Sequence, residues 1–173
     1  MKNFEKCAYT YRHRRAIKYL IEKLIADEAT KAIMLQRADT HDMDKMVMYQ
    51  VLEYPMAHTI HRGISAHHVT NSIPKCYYDY VEAVLDYESA GYTKPDKPMN
   101  AYDYVLKMKA NGKCSDEIAD ILLKICADLG IDKSYSVTDD KEGMAYLEQF
   151  ANVTEEMIVD EVTAYFRASG MVV

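Results

Sequence analysis

The sequence predicts an all-α protein. Apolar residues recur at three- and four-residue steps over most of the chain. No run alternates apolar and polar residues as a half-buried strand requires, and capping residues and glycines punctuate the helical segments. At 173 residues, 49 % apolar and 28 % charged, a chain of this length buries roughly 70 % of its unfolded surface and needs no disulfide or structural ion merely to fold.

From Thr10 the positions Ile17, Leu20, Ile21, Leu24 and Ile25 form an amphipathic stripe, which predicts a first helix to about Asp27. His13 lies four residues before Ile17 and shares that inward stripe. A second helix, about Glu28 to Thr40, carries Met34, Ala38 and His41 on one face, and Lys45 extends the face if the helix continues. The stretch Glu53 to Pro74 contains Pro55, Gly63 and Pro74 and reads as loop with short helical turns. A third long helix, about Lys75 to Ala90, is stopped by Gly91, Pro95 and Pro98, and sets Asp79, Glu82 and Asp86 along one side. Further helices start at the N-caps Asn100, Ser115 and Thr154, and two of them stop at Gly112 and Gly130. The polar stretch Asp132 to Gly143 has the weakest pattern.

No window approaches the 18 or more apolar residues of a membrane span, so no membrane association is expected. The cysteines Cys7, Cys76, Cys114 and Cys126 form no C-x-x-C pair, and the opening MKNFEKCAYT has no apolar stretch behind its charges. A cytoplasmic, reduced-thiol protein is the expectation. Net charge is −6, with ten Lys/Arg against seven Asp/Glu over residues 1–48 and seven against fourteen over 99–173. That acidic second half speaks against general nucleic-acid binding. Fifteen tyrosines stand against three phenylalanines and no tryptophan. Some of Tyr77, Tyr78, Tyr80, Tyr87 and Tyr92 are candidates to line a cleft or an interface, including one between copies of the chain in a homo-oligomer.

All six histidines, His13, His41, His58, His61, His67 and His68, fall in the first 40 % of the chain. An inward His13, the pair His41-Asp42 where the second helix ends, a histidine-rich loop and Asp86 on the third helix form a set suited to one or two divalent metal ions. Mixed nitrogen and oxygen donors favour iron, manganese, zinc, cobalt or nickel over calcium.

The order His13, then His41-Asp42, then Asp86 resembles the H…HD…D signature of the HD-domain superfamily, an all-α class of metal-dependent phosphohydrolases. The run H-D-M-D-K is similar to the H-D-x-x-K core of its phosphodiesterase branch. Arg37, the His67-His68 pair and the Glu82/Asp86 step also resemble an uncharacterised small-protein branch with an R-x-x-x-H-D-x-S-K-type core. Asp44 departs from both, standing where one has Gly and the other Ser. The resemblance covers about residues 10 to 92. With the helical pattern of the rest, the expectation is one compact domain, an HD-like metal-binding helical part over 1–112 with a C-terminal helical extension over 113–173 packed on it.

The resemblance further implies that His13, His41, Asp42 and Asp86 hold a first metal, with Asp42 bridging to a second held by loop histidines, foremost His61 and His67 or His68. Two such ions clamp a phosphoryl oxygen and make hydroxide at neutral pH, so hydrolysis of a small phosphate ester or nucleotide is the leading expectation. Asp42 and Lys45 are the catalytic candidates, while Arg37, Lys45 and His58 are the substrate-binding ones. Arg12, Arg14, Arg15 and Arg37 are candidates for a local positive field that recruits the anion. Two other readings stand beside it: a di-iron oxygenase of the HD type, and a non-catalytic interaction protein with a degenerate metal pocket.

Overall fold

The computed structural model describes residues 1–94, 99–133 and 136–170, and among these every regular element is helical. The order is α1 (Phe4–Leu24), α2 (Glu28–Thr40), α3 (Met43–Val51), α4 (Tyr54–Ile64), α5 (Tyr77–Thr93), α6 (Ala101–Ala110) and α7 (Asp116–Asp128). A 3-10 turn (Val137–Asp139), α8 (Lys141–Glu148) and α9 (Glu155–Ala168) follow. The N-caps read from the sequence form: Asn100, Ser115 and Thr154 each accept from the backbone N–H three residues on. Gly112 and Gly130 take the left-handed conformation that ends α6 and α7, with φ of 63° and 71°.

Three expectations change. The first helix begins earlier and ends at Leu24, because Ile25 is extended and Asp27 turns to cap α2, accepting from Thr30 N–H at 2.7 Å. The segment read as loop contains α4, since Pro55 lies in the first turn, where its missing N–H costs nothing. Gly91 does not stop α5, which runs on to Thr93. Its missing side chain instead lets the 3-10 turn approach, since a Cβ there would stand 3.0 Å from both Val137 methyl groups. The two prolines 95 and 98 lie outside the described residues.

Helix α1 is the axis of the fold, packing on α2, α3, α5, α8 and α9. Its C-terminal half, with Ala16, Ile17, Leu20 and Ile21, enters the larger apolar core, shared with Val84 and Leu85 of α5 and Leu122 and Ile125 of α7. Its N-terminal half gives Cys7 and Tyr11 to a second core with Met43 and Met46 of α3, Ala57 of α4 and Ile158 of α9. The segment after residue 112 therefore packs directly on the segment before it. His13 and Arg14, 3 % and 2 % exposed, sit on α1 between its contributions to the two cores.

A carboxylate pins the larger core. Asp140 accepts from Tyr19 Oη at 3.0 Å and Tyr92 Oη at 2.6 Å, pairs with Lys23 at 2.5 Å and caps α8 at Gly143 N–H. A Cβ on Gly143 would fall 2.7 Å from Asp140 Oδ2 and from ring carbons of Tyr19 and Tyr92. Gly143→Ala is expected to cost about 1–3 kcal/mol. Gly63→Ala, whose Cβ meets nothing within 4 Å, is expected to be neutral or stabilising by up to about 1 kcal/mol. Denaturant midpoints at constant slope check both.

Glu88 of α5 is fully buried; Oε2 accepts from Ala101 N–H at 2.7 Å, while Oε1 has no hydrogen-bond partner. Burial pushes its carboxyl up from 4.5 to about 7. Over that interval the folded chain keeps a proton that the unfolded chain has released. Stability from this group therefore falls as pH rises from 4.5 to about 7, by an amount on the order of 3 kcal/mol. Urea midpoints at pH 5 and pH 8 should differ less in Glu88→Gln than in the wild type.

Candidate metal centre

The turn between α2 and α3 builds the centre. Helix α2 ends at Thr40, His41 has φ −52° and ψ 126°, and Asp42 is left-handed with φ 57° and ψ 11° before α3 begins at Met43. Aspartate is among the few residues that tolerate this conformation. The reversal aims both side chains inward: His41 is 3 % and Asp42 2 % exposed. Lys45 thus lies on α3, not on a continued α2.

Around Asp42 stand imidazoles from four different segments. Oδ2 lies 3.9 Å from His13 Nε2 and 3.7 Å from His41 Nε2, and pairs with Lys45 Nζ at 2.6 Å. Oδ1 lies 3.1 Å from His61 Nε2 and 3.7 Å from His67 Nε2. Asp86 Oδ1 closes the first group, 2.7 Å from His13 Nε2 and 3.9 Å from His41 Nε2. His68 joins the second, its ring centroid 4.4 Å from that of His67 and 4.8 Å from that of His61. Donors sharing one tetrahedral ion stand roughly 3.4 Å apart, a separation close to those on both sides of Asp42.

The far sides of the rings are held. His41 Nδ1 meets Glu82 Oε1 at 2.7 Å, and His67 Nδ1 lies 3.4 Å from the same oxygen. His61 Nδ1 meets Asp44 Oδ2 at 2.8 Å, and Ser89 Oγ lies 2.9 Å from His13 Nδ1. Arg37 in turn ties down Glu82, donating from Nε at 2.8 Å, and pairs with Asp79. Asn71 shapes the loop that carries His67 and His68, donating to the carbonyls of Arg62 at 2.9 Å and Ser65 at 2.8 Å. Rings anchored through one nitrogen to a carboxylate present the other in a fixed direction, as metal-binding imidazoles do.

Some of the inner sides are left without hydrogen bonds. His41 Nε2, His67 Nε2 and His68 Nε2 are buried with none, while the Asp42 oxygens face Lys45 Nζ and His61 Nε2. Buried polar atoms left unsatisfied cost about 1–3 kcal/mol each, so three such nitrogens gathered around the Asp42 carboxylate fit a bound cation. Burial by itself raises the Asp42 carboxyl, but His41 and Lys45 outweigh it and hold the group ionised, well below the usual range. Burial lowers His41 and takes His68 down to about 3. Glu82 is pulled below its usual range by His41 and His67 against the opposing effect of burial.

These buried His, Asp and Glu groups are able to hold a metal ion. His13, His41, Asp42, His61, His67, His68 and Asp86 converge. Lys45 reaches Asp42 and, with His58, lines a cavity of about 980 Å³ that opens onto His13, His68 and Asp86. Arg37 lies elsewhere, in a smaller cavity of about 230 Å³ lined also by His41, Asp42, His67 and Glu82. Its guanidinium is engaged by carboxylates instead of open to an anion. Arg14 and Arg15 are likewise committed, both to Glu161. Of the tyrosines named from the sequence, Tyr87 lines the large cavity. Asp44 and Ser89 are not legible in the sequence as ring-holding groups, because their partners His61 and His13 lie 17 and 76 positions away.

No family model, curated protein or solved structure compared with the chain matches it. No helix among the described residues is long and apolar enough to cross a membrane.

Arg37→Met should release Glu82 and lower divalent-metal affinity by about 10–100-fold, as is usual when the groups behind metal ligands are removed. Competition with a chromophoric chelator checks this, with Arg37→Lys expected to fall between the two.

Proposed function

We propose that the chain is a metal-dependent phosphohydrolase of the HD type, acting on a small phosphate ester. The observation that carries this reading is the ring of buried imidazole and carboxylate groups around Asp42, three of whose members, His13, His68 and Asp86, line one cavity with Lys45 and His58. His13, His41, Asp42 and Asp86 would hold one ion, and Asp42 with His61, His67 and His68 a second. Divalent cations in such a set polarise a phosphoryl oxygen and make water a competent nucleophile near neutral pH.

The chain's own groups supply the rest. Asp42 and Asp86 hold Lys45 in its charged form against the cost of burial, so its ammonium is a fixed positive point facing an anionic ester. His58 is kept neutral by partial burial and by the nearby cations Arg62 and Lys45, and serves as a hydrogen-bonding wall residue. Glu82, Asp44 and Ser89 hold the rings in place. Buried ring nitrogens left without partners speak against a decayed, metal-free pocket; a non-catalytic structural ion would leave the chain without turnover in the assay below. The five imidazoles also suit iron, which keeps the oxygenase reading as the second one.

The test is a purified chain loaded in turn with manganese, iron, cobalt, nickel and zinc, assayed on bis(p-nitrophenyl) phosphate and a nucleotide panel. Turnover is expected, with kcat reduced by about 10²-fold or more in Lys45→Met, the scale seen when a fixed charge-stabilising donor is removed. Asp42→Asn should lose metal and activity together. Absence of turnover with every metal overturns the proposal, and oxygen consumption by the iron form with an organic substrate would establish the second reading instead.

A further inference from the structure

Of the arginines that the sequence suggested as a positive field, Arg14, Arg15 and Arg37 are engaged by carboxylates, and other cations line the large cavity. Besides Lys45, five cations, Lys6, Arg62, Lys94, Lys107 and Lys113, line the large cavity, and among the described residues none of the five is within ion-pairing distance of a carboxylate. Lys6 and Lys94 rest instead over the rings of Tyr54 and Tyr9, at 4.8 and 5.1 Å. Apart from Asp86, which belongs to the metal centre, the acids on the same walls are Glu5 and Asp103. In a chain of net charge −6, five exposed cations on the walls of one cavity set up a local positive field there.

Their placement is informative. Lys107 lies on α6 and Lys113 follows it, and α6, which packs on α5 and α7, contributes no candidate metal ligand. Lys45, by contrast, is bound to Asp42 at the centre itself. One anionic group over the metal centre would engage Lys45 and leave the α6 wall unused. The cavity, at about 980 Å³, is at the upper end of the range for small-molecule sites.

We propose that the ligand carries two separated anionic groups, one at the metal centre and a second recognised by Lys107 and Lys113 at the α6 wall. This rests on the phosphate-ester reading for the first group. The second is a phosphate or a carboxylate.

Non-hydrolysable probes read this apart from catalysis. The metal-loaded full chain is titrated calorimetrically with alkylphosphonates and with α,ω-alkylene bisphosphonates of matched length, from three to eight carbons, at low salt. The expected result is that a bisphosphonate of one preferred length binds at least 10-fold tighter than its monophosphonate, and that the advantage shrinks as salt rises. In the double variant Lys107→Ala/Lys113→Ala the ratio should fall below 2-fold, while Lys124→Ala, an exposed lysine paired with Asp128 on α7, should leave it unchanged. ω-Carboxyalkylphosphonates identify the second group by whether they share the advantage. A ratio below 2-fold at every length overturns the proposal, as does a ratio that survives the double substitution. A bisphosphonate preference without ester turnover would retain the paired-anion site and sink the hydrolase reading; turnover without the preference would do the reverse.

Discussion

A carboxylate buried between four imidazoles and an ammonium sets the terms for the surrounding structure. Asp42 is 2 % exposed, and an ionised group at that depth persists only where opposite charge and fixed dipoles replace water. Lys45 provides the charge, and the rings of His13, His41, His61 and His67 surround the two oxygens. Each ring must then be oriented from behind, which accounts for a second layer of carboxylates and hydroxyls, Glu82, Asp44 and Ser89, and for Arg37 and Asp79 behind Glu82. Layering of this kind requires rigid walls, and the two apolar cores on either side of His13 along α1 provide them.

Helix α5 shows how one element serves several purposes. Asp79, Glu82 and Asp86, spaced along one side, meet Arg37, His41 and His13 respectively. On other sides Val84 and Leu85 enter the larger core, and Glu88 accepts the first N–H of α6. The three-carboxylate side was readable because helical periodicity fixes which residues share a face. Which carboxylate meets which partner was not, because that depends on how α5 packs against α1 and α2.

Most of the fold was legible in local chemistry. Caps such as Asn100, Ser115 and Thr154 and left-handed glycines such as Gly112 act within a few residues, so sequence alone locates them. Pro55 and Gly91 misled because each has two uses: proline is tolerated in a first helical turn, and glycine permits close packing as well as termination. In the candidate centre, the converging histidines stood out by their segregation, but the left-handed turn at Asp42 left no signature beyond the residue type. Arg37 read as an anion-binding group because its partners Asp79 and Glu82 lie more than forty positions away. Long-range pairing also concealed Asp140, whose tyrosine partners Tyr19 and Tyr92 come from α1 and α5.

The unsatisfied inner faces of the rings carry a cost that falls on the folded chain itself, whether or not any reaction takes place. Unfolding returns those nitrogens and oxygens to water, so a cation that recognises only the assembled ring shifts the balance toward the native state. In a cell, scarcity of that cation would then shorten the protein's half-life by raising the fraction exposed to proteases. Abundance of a chain whose centre holds such a cation would therefore track the supply of that cation, making occupancy a form of quality control.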